Sequence, residues 1–296
     1  IMMSVGSKTD FAETDRQIRS MLSHDSRQVT DSLEKWVGER RQPIANLAKI
    51  AATRSPAQMQ GYLEQVRASD ANFLRVGLIQ EGGKAVAFSP RVDQQGRSMI
   101  GVSFADRPHI PELKQQREPI LSDVMAARAG RPEPVTIMLA PVLSRGEYRG
   151  YVAGILNFER LRAILELNAA GRSVLYTLLD KNGKVIITNR ADQRSMTQFS
   201  RGKGTLSHLG KGLSRWIPAL PPNTSTIDLW GKSLYVSEST VGNLAEWKLI
   251  LEQPVTQFQK QLYGNYTGKF FLLFLIVLGS LALAELVSRR ITKTIE

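Results

Sequence analysis

Apolar residues recur at helical steps over the first fifty positions. From about Asp10 to Ala52, Phe11, Ile18, Leu22, Val29, Leu33, Trp36, Leu47 and Ala51 stand three, four, seven or eleven apart, with Gly38 as the only glycine. That stripe predicts one long amphipathic helix, about 60 Å long at 1.5 Å per residue. Pro43 is expected to kink it, because a proline inside a helix removes a hydrogen bond and crowds the preceding turn. So long a helix outreaches a domain of this size. Part of it is expected to pack on the rest of the chain, and the part nearer a membrane to pair with the same helix of a second copy, giving a homodimer. The alternative is a helix folded wholly onto its own core.

Ser55 followed by Pro56 is a cap and a favoured first helical position, and starts a second helix to about Ser69. The pattern then shortens. FLRVGLIQ (73–80), KAVAFS (84–89), PVTIMLAPVLS (134–144) and GYVAGILNF (150–158) are apolar, β-branched runs bounded by Gly or Pro, and read as strands. PHIPELKQQRE (108–118) and FERLRAILELNA (158–169) read as helices. A second set of strands is expected at 172–180, 184–189, 225–230, 233–240 and 246–253, with a mobile basic loop at RGKGTLSHLGKG (201–212).

The two sets repeat. LIQEGGKAVAF (78–88) and LLDKNGKVIIT (178–188) each hold a strand, a glycine turn at Gly83 or Gly183, a lysine at 84 or 184, and a returning strand. A repeat on this scale predicts an α+β fold with two small antiparallel-sheet modules side by side. Glycine-lysine hairpins are common enough that coincidence is the alternative.

The pattern changes once more near the C-terminus. Phe270 to Ala284 holds fifteen residues without a charge, the run continues to Val287 past Glu285 alone, and Arg289, Arg290 and Lys293 come next. About 20 apolar residues span a bilayer. Tyr263 and Tyr266 stand where an interfacial aromatic belt would lie, and the basic flank marks the cytoplasmic side. A transmembrane helix is therefore expected at 270–288, with residues 8–269 outside the membrane and 289–296 on its cytoplasmic side. The opening IMMSV (within 1–7) is expected to be the end of an earlier span, with a cleaved signal ahead of it as the alternative, in a fragment of a longer protein.

Composition narrows the chemistry. The chain has no cysteine, which removes disulfides and thiolate chemistry together. Its net charge of +12 is spread among acids rather than gathered with aromatics, so nucleic acid is not an expected partner. His24, His109 and His208 lie far apart, and no HExxH or GxSxG occurs. The 201–212 stretch fails the phosphate-loop pattern, because Gly212 stands after Lys211 where Ser or Thr is required. No cofactor, metal or catalytic set is expected.

GVSFADRPHIPEL and the segment after it contain Ala105-Asp106-Arg107-Pro108, Ile120-Leu121-Ser122-Asp123-Val124 and two strands joined at Arg145 to Arg149. Here the chain resembles the double Cache sensor family, the periplasmic domains of bacterial histidine kinases, chemoreceptors and diguanylate cyclases. The resemblance covers most of residues 8–269 and implies that the membrane is a bacterial inner membrane. It implies a spine helix at 8–54, a membrane-distal PAS-like module at 55–165 that holds the ligand, a membrane-proximal module at 166–253 and a connecting helix at 254–269. A HAMP-like linker would begin at 289–296.

The family resemblance also implies that Arg107 grips a ligand carboxylate. A guanidinium suits this, being a planar fork of donors that keeps its charge. His109 would add a donor. Ser122, Asp123, Thr136 and Met138 complete the candidate set, Thr136 and Met138 on the expectation that alternation turns them into the pocket. Amino-acid-sensing members follow the arginine with Pro-Trp-Tyr and hold the ammonium with a later aspartate. This chain has Pro108-His109-Ile110, and Ile155 at the aspartate position. A small mono- or dicarboxylate without an ammonium fits better. Arg107 in an ion pair with Asp106 or Asp123 is the alternative, and Asp123 is the more structural of the candidates. The expected function is ligand sensing for a cytoplasmic output domain, first a histidine kinase, otherwise a diguanylate cyclase or chemoreceptor; a ligand-free scaffold is the competing class.

Overall fold

The computed structural model describes residues 2–128, 132–169, 173–242, 244, 246–256, 258, 268 and 271–284. The periodic stripe becomes α1 (Met2–Ala51), one helix of 50 residues that continues on both sides of Pro43. Ile44, Leu47 and Ala48 are buried directly after that proline, and their packing holds the turn that its missing hydrogen bond weakens. α2 (Pro56–Ser69) begins at the capping box expected of Ser55: its hydroxyl accepts from the Gln58 amide, and the Gln58 side chain accepts from the Ser55 amide.

The first module is built from β1 (Phe73–Gln80), β2 (Ala85–Ser89), α3 (His109–Gln116), β3 (Ile120–Leu121), β4 (Met125–Ala126), β5 (Pro134–Val135), β6 (Ile137–Ser144), β7 (Glu147–Leu156) and α4 (Phe158–Ala169). Its antiparallel sheet runs β2-β1-β7-β6-β3, and β4 pairs with β5 apart from it. The second module adds β8 (Leu175–Leu179), β9 (Val185–Thr188), β10 (Gly204–Gly210), β11 (Leu213–Pro218), α5 (Thr226–Gly231), β12 (Leu234–Val241) and β13 (Trp247–Pro254). Its sheet runs β10-β11-β12-β13-β8-β9. Read from the other edge this is β9-β8-β13-β12-β11, the order of the first sheet with one strand added.

Backbone hydrogen bonds carry the same likeness. The Gly83 amide donates to the Gln80 carbonyl at 2.8 Å, and the Gly183 amide to the Asp180 carbonyl at 3.0 Å. Both glycines sit near φ +80°, a conformation that disfavours any side chain. Each hairpin slips by one residue just before its turn, at Leu78/Ile79 and at Leu178/Leu179. The amides of Phe104 and Phe199 then bond back to the carbonyls of Gly83 and Gly183.

Both sheets lean on α1. Ile18, Leu22, Val29 and Leu33 join one hydrophobic cluster with Tyr235, Val241 and Leu251 of the second module, while Ile44 and Leu47 join it beside Met138, Ala140 and Val152 of the first. The stripe from Ile18 onward is thus covered by this chain's own sheets. A partner helix is left with whatever lies before it, and the side chains of residues 2–11 lie outside the description.

Two stretches fold differently from the sequence expectation. STIDLW forms the short helix α5, because the Ser225 hydroxyl accepts from the Asp228 amide at 3.1 Å and caps it. The basic stretch at 201–212 pairs into the β10–β11 hairpin, turning at Gly210, Lys211 and Gly212, all at positive φ. An edge strand with both faces largely in water carries no apolar alternation to read.

Among the described residues no helix is long and apolar enough to cross a membrane. Residues 271–284 of the expected span are helical and exposed; positions 270 and 285–288 lie outside the described residues, as do 289–296.

Candidate functional site

A cavity of about 40 Å³ lies in the first module, on the face of the sheet opposite α1. Sheet residues Ile79, Phe88, Ile137, Ala153 and Ile155 form its apolar wall. Arg107, His109 and Arg128 bring nitrogen from outside the sheet, and Arg75 on β1 brings it from the sheet beside Ile155. Volume at this scale accommodates roughly three water-sized groups.

The polar side is positioned by the turn after β2. A bridge between Lys84 and Ser103, with the Phe104 amide on Gly83, fixes Phe104 flat against Phe88, ring centres 6.4 Å apart. The chain then turns at Arg107, whose carbonyl accepts from the Ile110 amide as α3 begins. Arg107 and His109 therefore point in from one turn.

Arg107 has no carboxylate partner among the described residues. Its Nη1 donates to the Ala126 carbonyl at 3.2 Å and lies 3.5 Å from the Met125 sulfur, while its buried Nε has no acceptor. Asp106 turns instead to Arg128, at 2.6 Å. Asp123 accepts from Asn182 at 2.8 Å. The ion pair that would make Arg107 a structural brace is thus absent. Burial, and then the neighbouring Arg128 charge, hold the Arg107 pKa below its ordinary value.

His109 is 5% exposed, and neither ring nitrogen finds a partner. Its ring meets Tyr151 edge-on, centres 5.7 Å apart. Burial first, and Arg107 second, push its pKa down to about 4 from 6.5. Between those values the unfolded chain carries a proton that the folded one refuses, so stability falls as pH drops from about 6.5 to about 4. The full contribution is about 3 kcal/mol. His109→Phe should flatten that part of the melting temperature–pH curve, measured against the parent chain; an unaltered slope would assign the acid sensitivity elsewhere.

The other sequence candidates fall outside the lining. Ser122 staples β3 to β6: its hydroxyl accepts from the Ile137 amide at 2.9 Å and donates to the Asp123 carbonyl. Thr136 and Met138 point away from the cavity, Met138 into the cluster beneath α1. Val135 and Ile137 line it in their place. The alternation is real, but its phase is shifted by one, which turns every side chain to the opposite face.

Sequence reasoning passed over three polar lining residues, Arg75, Arg128 and Tyr151, besides most of the apolar wall. Arg75 is 7% exposed and lies 3.6 Å from Glu133. A lone charge inside the apolar run FLRVGLIQ was the available signal, since a charge is buried only with a partner. Arg128 and Tyr151 carried none.

Beneath the site the first module is bolted to the second. Val124 donates its amide to Asp180 at 3.3 Å, Asn182 bonds Asp123, and Lys181 pairs with Glu112 of α3 at 3.1 Å. All three second-module partners belong to the β8–β9 turn.

Comparison with solved structures identifies the same fold at low sequence identity. The ligand-binding domain of the Pseudomonas aeruginosa PAO1 amino acid chemoreceptor PctB, in complex with L-Arg, superposes with a TM-score of 0.63 at 20% identity, over 85% of this chain and 93% of that one. The ligand-binding domain of Pseudomonas fluorescens chemoreceptor CtaA with L-alanine gives 0.60 at 17%, over 81% and 96%. The sensor domain of the V. cholerae histidine kinase DctB gives 0.56 at 16%, over 80% and 98%. No curated protein matches by sequence. Residues 11–262 match the double Cache family model, described as a Cache domain, and the chain belongs to the double Cache family of sensor domains.

Proposed function

We propose that this chain is the extracytoplasmic, ligand-sensing region of a bacterial transmembrane receptor, and that its first module binds a small carboxylate at Arg107 and His109. The observation that carries the reading is a partly open cavity holding a half-buried guanidinium with no carboxylate, and a buried imidazole with no hydrogen-bond partner, among the described residues. Such groups are costly in a finished core and are satisfied by an anion. In solved relatives, the ligand-binding domains of PctB and CtaA are complexed with L-arginine and L-alanine. A cavity with these polar groups disfavours a ligand-free scaffold.

In this reading the module at 55–165 is membrane-distal, 166–253 membrane-proximal, and a connecting helix at 254–269 leads to a span at 270–288. A second span or a cleaved signal precedes the chain, α1 pairs with its copy in a homodimer, and 289–296 opens a HAMP-like linker in the cytoplasm. Ligand at Arg107 and His109 draws on α3, and Glu112 on α3 passes the movement to Lys181 in the second module. The ligand shifts the receptor only by its differential affinity for two arrangements. The output is a histidine kinase, as for DctB; the chemoreceptor reading rests on PctB and CtaA, and a diguanylate cyclase is the third alternative.

Thermal unfolding of the chain in detergent tests the binding claim. Small carboxylates should raise the melting temperature, as ligands that bind only the folded state do, while the matching amines and alcohols should leave it unchanged. Equal shifts from all three classes would remove the anion from the argument.

A further inference from the structure

The duplication supplies a template for the missing ligand. In the sheet registers Arg75 faces Ile155 and Leu175 faces Glu252, so with Leu78 matched to Leu178, Glu252 stands where the first module has Ile155. The turns place Phe104 and Phe199 alike. Each phenylalanine ring is flanked by two guanidiniums: Arg107 at 6.0 Å and Arg128 at 5.9 Å over Phe104, Arg190 at 6.0 Å and Arg201 at 5.1 Å over Phe199.

Only the second pair shares a carboxylate. Glu252, with its side chain 1% exposed, accepts from Arg190 at 2.5 Å and from Arg201 at 2.7 Å. In the first module the Arg128 charge disfavours that of Arg107, Arg128 leans outward to the exposed Asp106, and Arg107 has no anion among the described residues. The second module thus contains its own occupant, a carboxylate on a two-carbon stem. The first lacks it.

We infer that the first module takes a short monocarboxylate with an unbranched apolar tail and no ammonium, of the propionate or butyrate class, its carboxylate on Arg107 and its tail against Ile155, Ile137 and Ala153. This rests on the carboxylate reading above and narrows it. An ammonium on the ligand would meet no partner, because no acidic side chain lines the cavity among the described residues. A second carboxylate would find Arg75 and Arg128 already paired with Glu133 and Asp106, and the Glu252 template offers a single carboxylate. The small cavity volume agrees with a ligand of few heavy atoms.

The test titrates the full chain in detergent with propionate, butyrate, succinate and L-alanine. Propionate or butyrate should bind at least ten-fold more tightly than the other two. Tighter binding of succinate or L-alanine would overturn the narrowing while leaving a carboxylate site; no binding by any of the four would overturn both. Ile155→Glu should supply the occupant from within and weaken propionate at least ten-fold in a chain with parental circular dichroism. Ile155→Ala lengthens the apolar end and should move the preferred tail at least one carbon longer. Parental propionate affinity in the first variant, or an unmoved preference in the second, would overturn the template.

Discussion

Replacing Arg107 by alanine should abolish the stabilisation expected from the proposed small carboxylate, weakening binding by roughly 30- to 1,000-fold. The magnitude comes from losing one partner of a buried charge pair, about 2–4 kcal/mol. The unliganded protein should not suffer in proportion. Arg107 has paid desolvation without gaining an ion pair, its Nε lacks an acceptor, and its loss costs the fold one hydrogen bond to the Ala126 carbonyl. The expected signature is therefore a melting temperature close to the parent's in buffer, with a flat response to carboxylate. A brace role would give the reverse, a lowered melting temperature with the ligand response intact, and that outcome would move the site elsewhere. Arg107→Lys should fall between the two, since an ammonium retains charge but not the bidentate fork.

How far such a site can be read from sequence depends on whether its signal is local. Long-range order along a single helix is local in this sense: the spacing of Ile18, Leu22, Val29 and Leu33 predicts α1, and all four are buried in it. What spacing does not say is what buries them, because the second module's Tyr235 and Leu251 are more than two hundred residues away in the chain. The glycine-lysine turns are legible as a repeat and the backbone repeats with them, down to the slipped register beside each glycine. Arg107 and His109 are reached through the family resemblance at Ala105 to Pro108, and one turn brings both to the cavity lining. The expectation for Thr136 and Met138 is one residue out of phase, because β5 ends at Val135 and β6 starts at Ile137, and no pattern marks which face of such a broken strand the core takes. α5 reads as a strand in sequence because its apolar and β-branched residues resemble one unless the cap at Ser225 is weighed first.

The Arg190, Arg201 and Glu252 cluster is the least legible feature, its members standing 62 and 51 residues apart, and it carries the largest expected effect on stability. Glu252→Ala leaves two largely buried guanidiniums, 10% and 14% exposed, with Asp192 and Glu238 as their remaining carboxylates. Removing one member of a buried ionic set costs about 3–5 kcal/mol, which for a domain of this size corresponds to a melting temperature lowered by roughly 10 °C. Glu252→Gln, which keeps the volume and one acceptor, should lose less. Propionate added to the alanine variant should recover part of the loss by restoring a carboxylate between the arginines, whereas propylamine should not. Unchanged melting temperatures in both variants would show that water satisfies the arginines and that Glu252 is not the second module's occupant. The cluster need not be more stable than a core without charges: replacing all three members by apolar residues of matching volume should recover most of what the single substitution loses, because the cost lies in the stranded charges rather than in the absence of the pair. That contrast separates occupancy from stability. On the proposed reading, a module filled by its own carboxylate needs no ligand, while the module with isoleucine at the same position takes its carboxylate from outside.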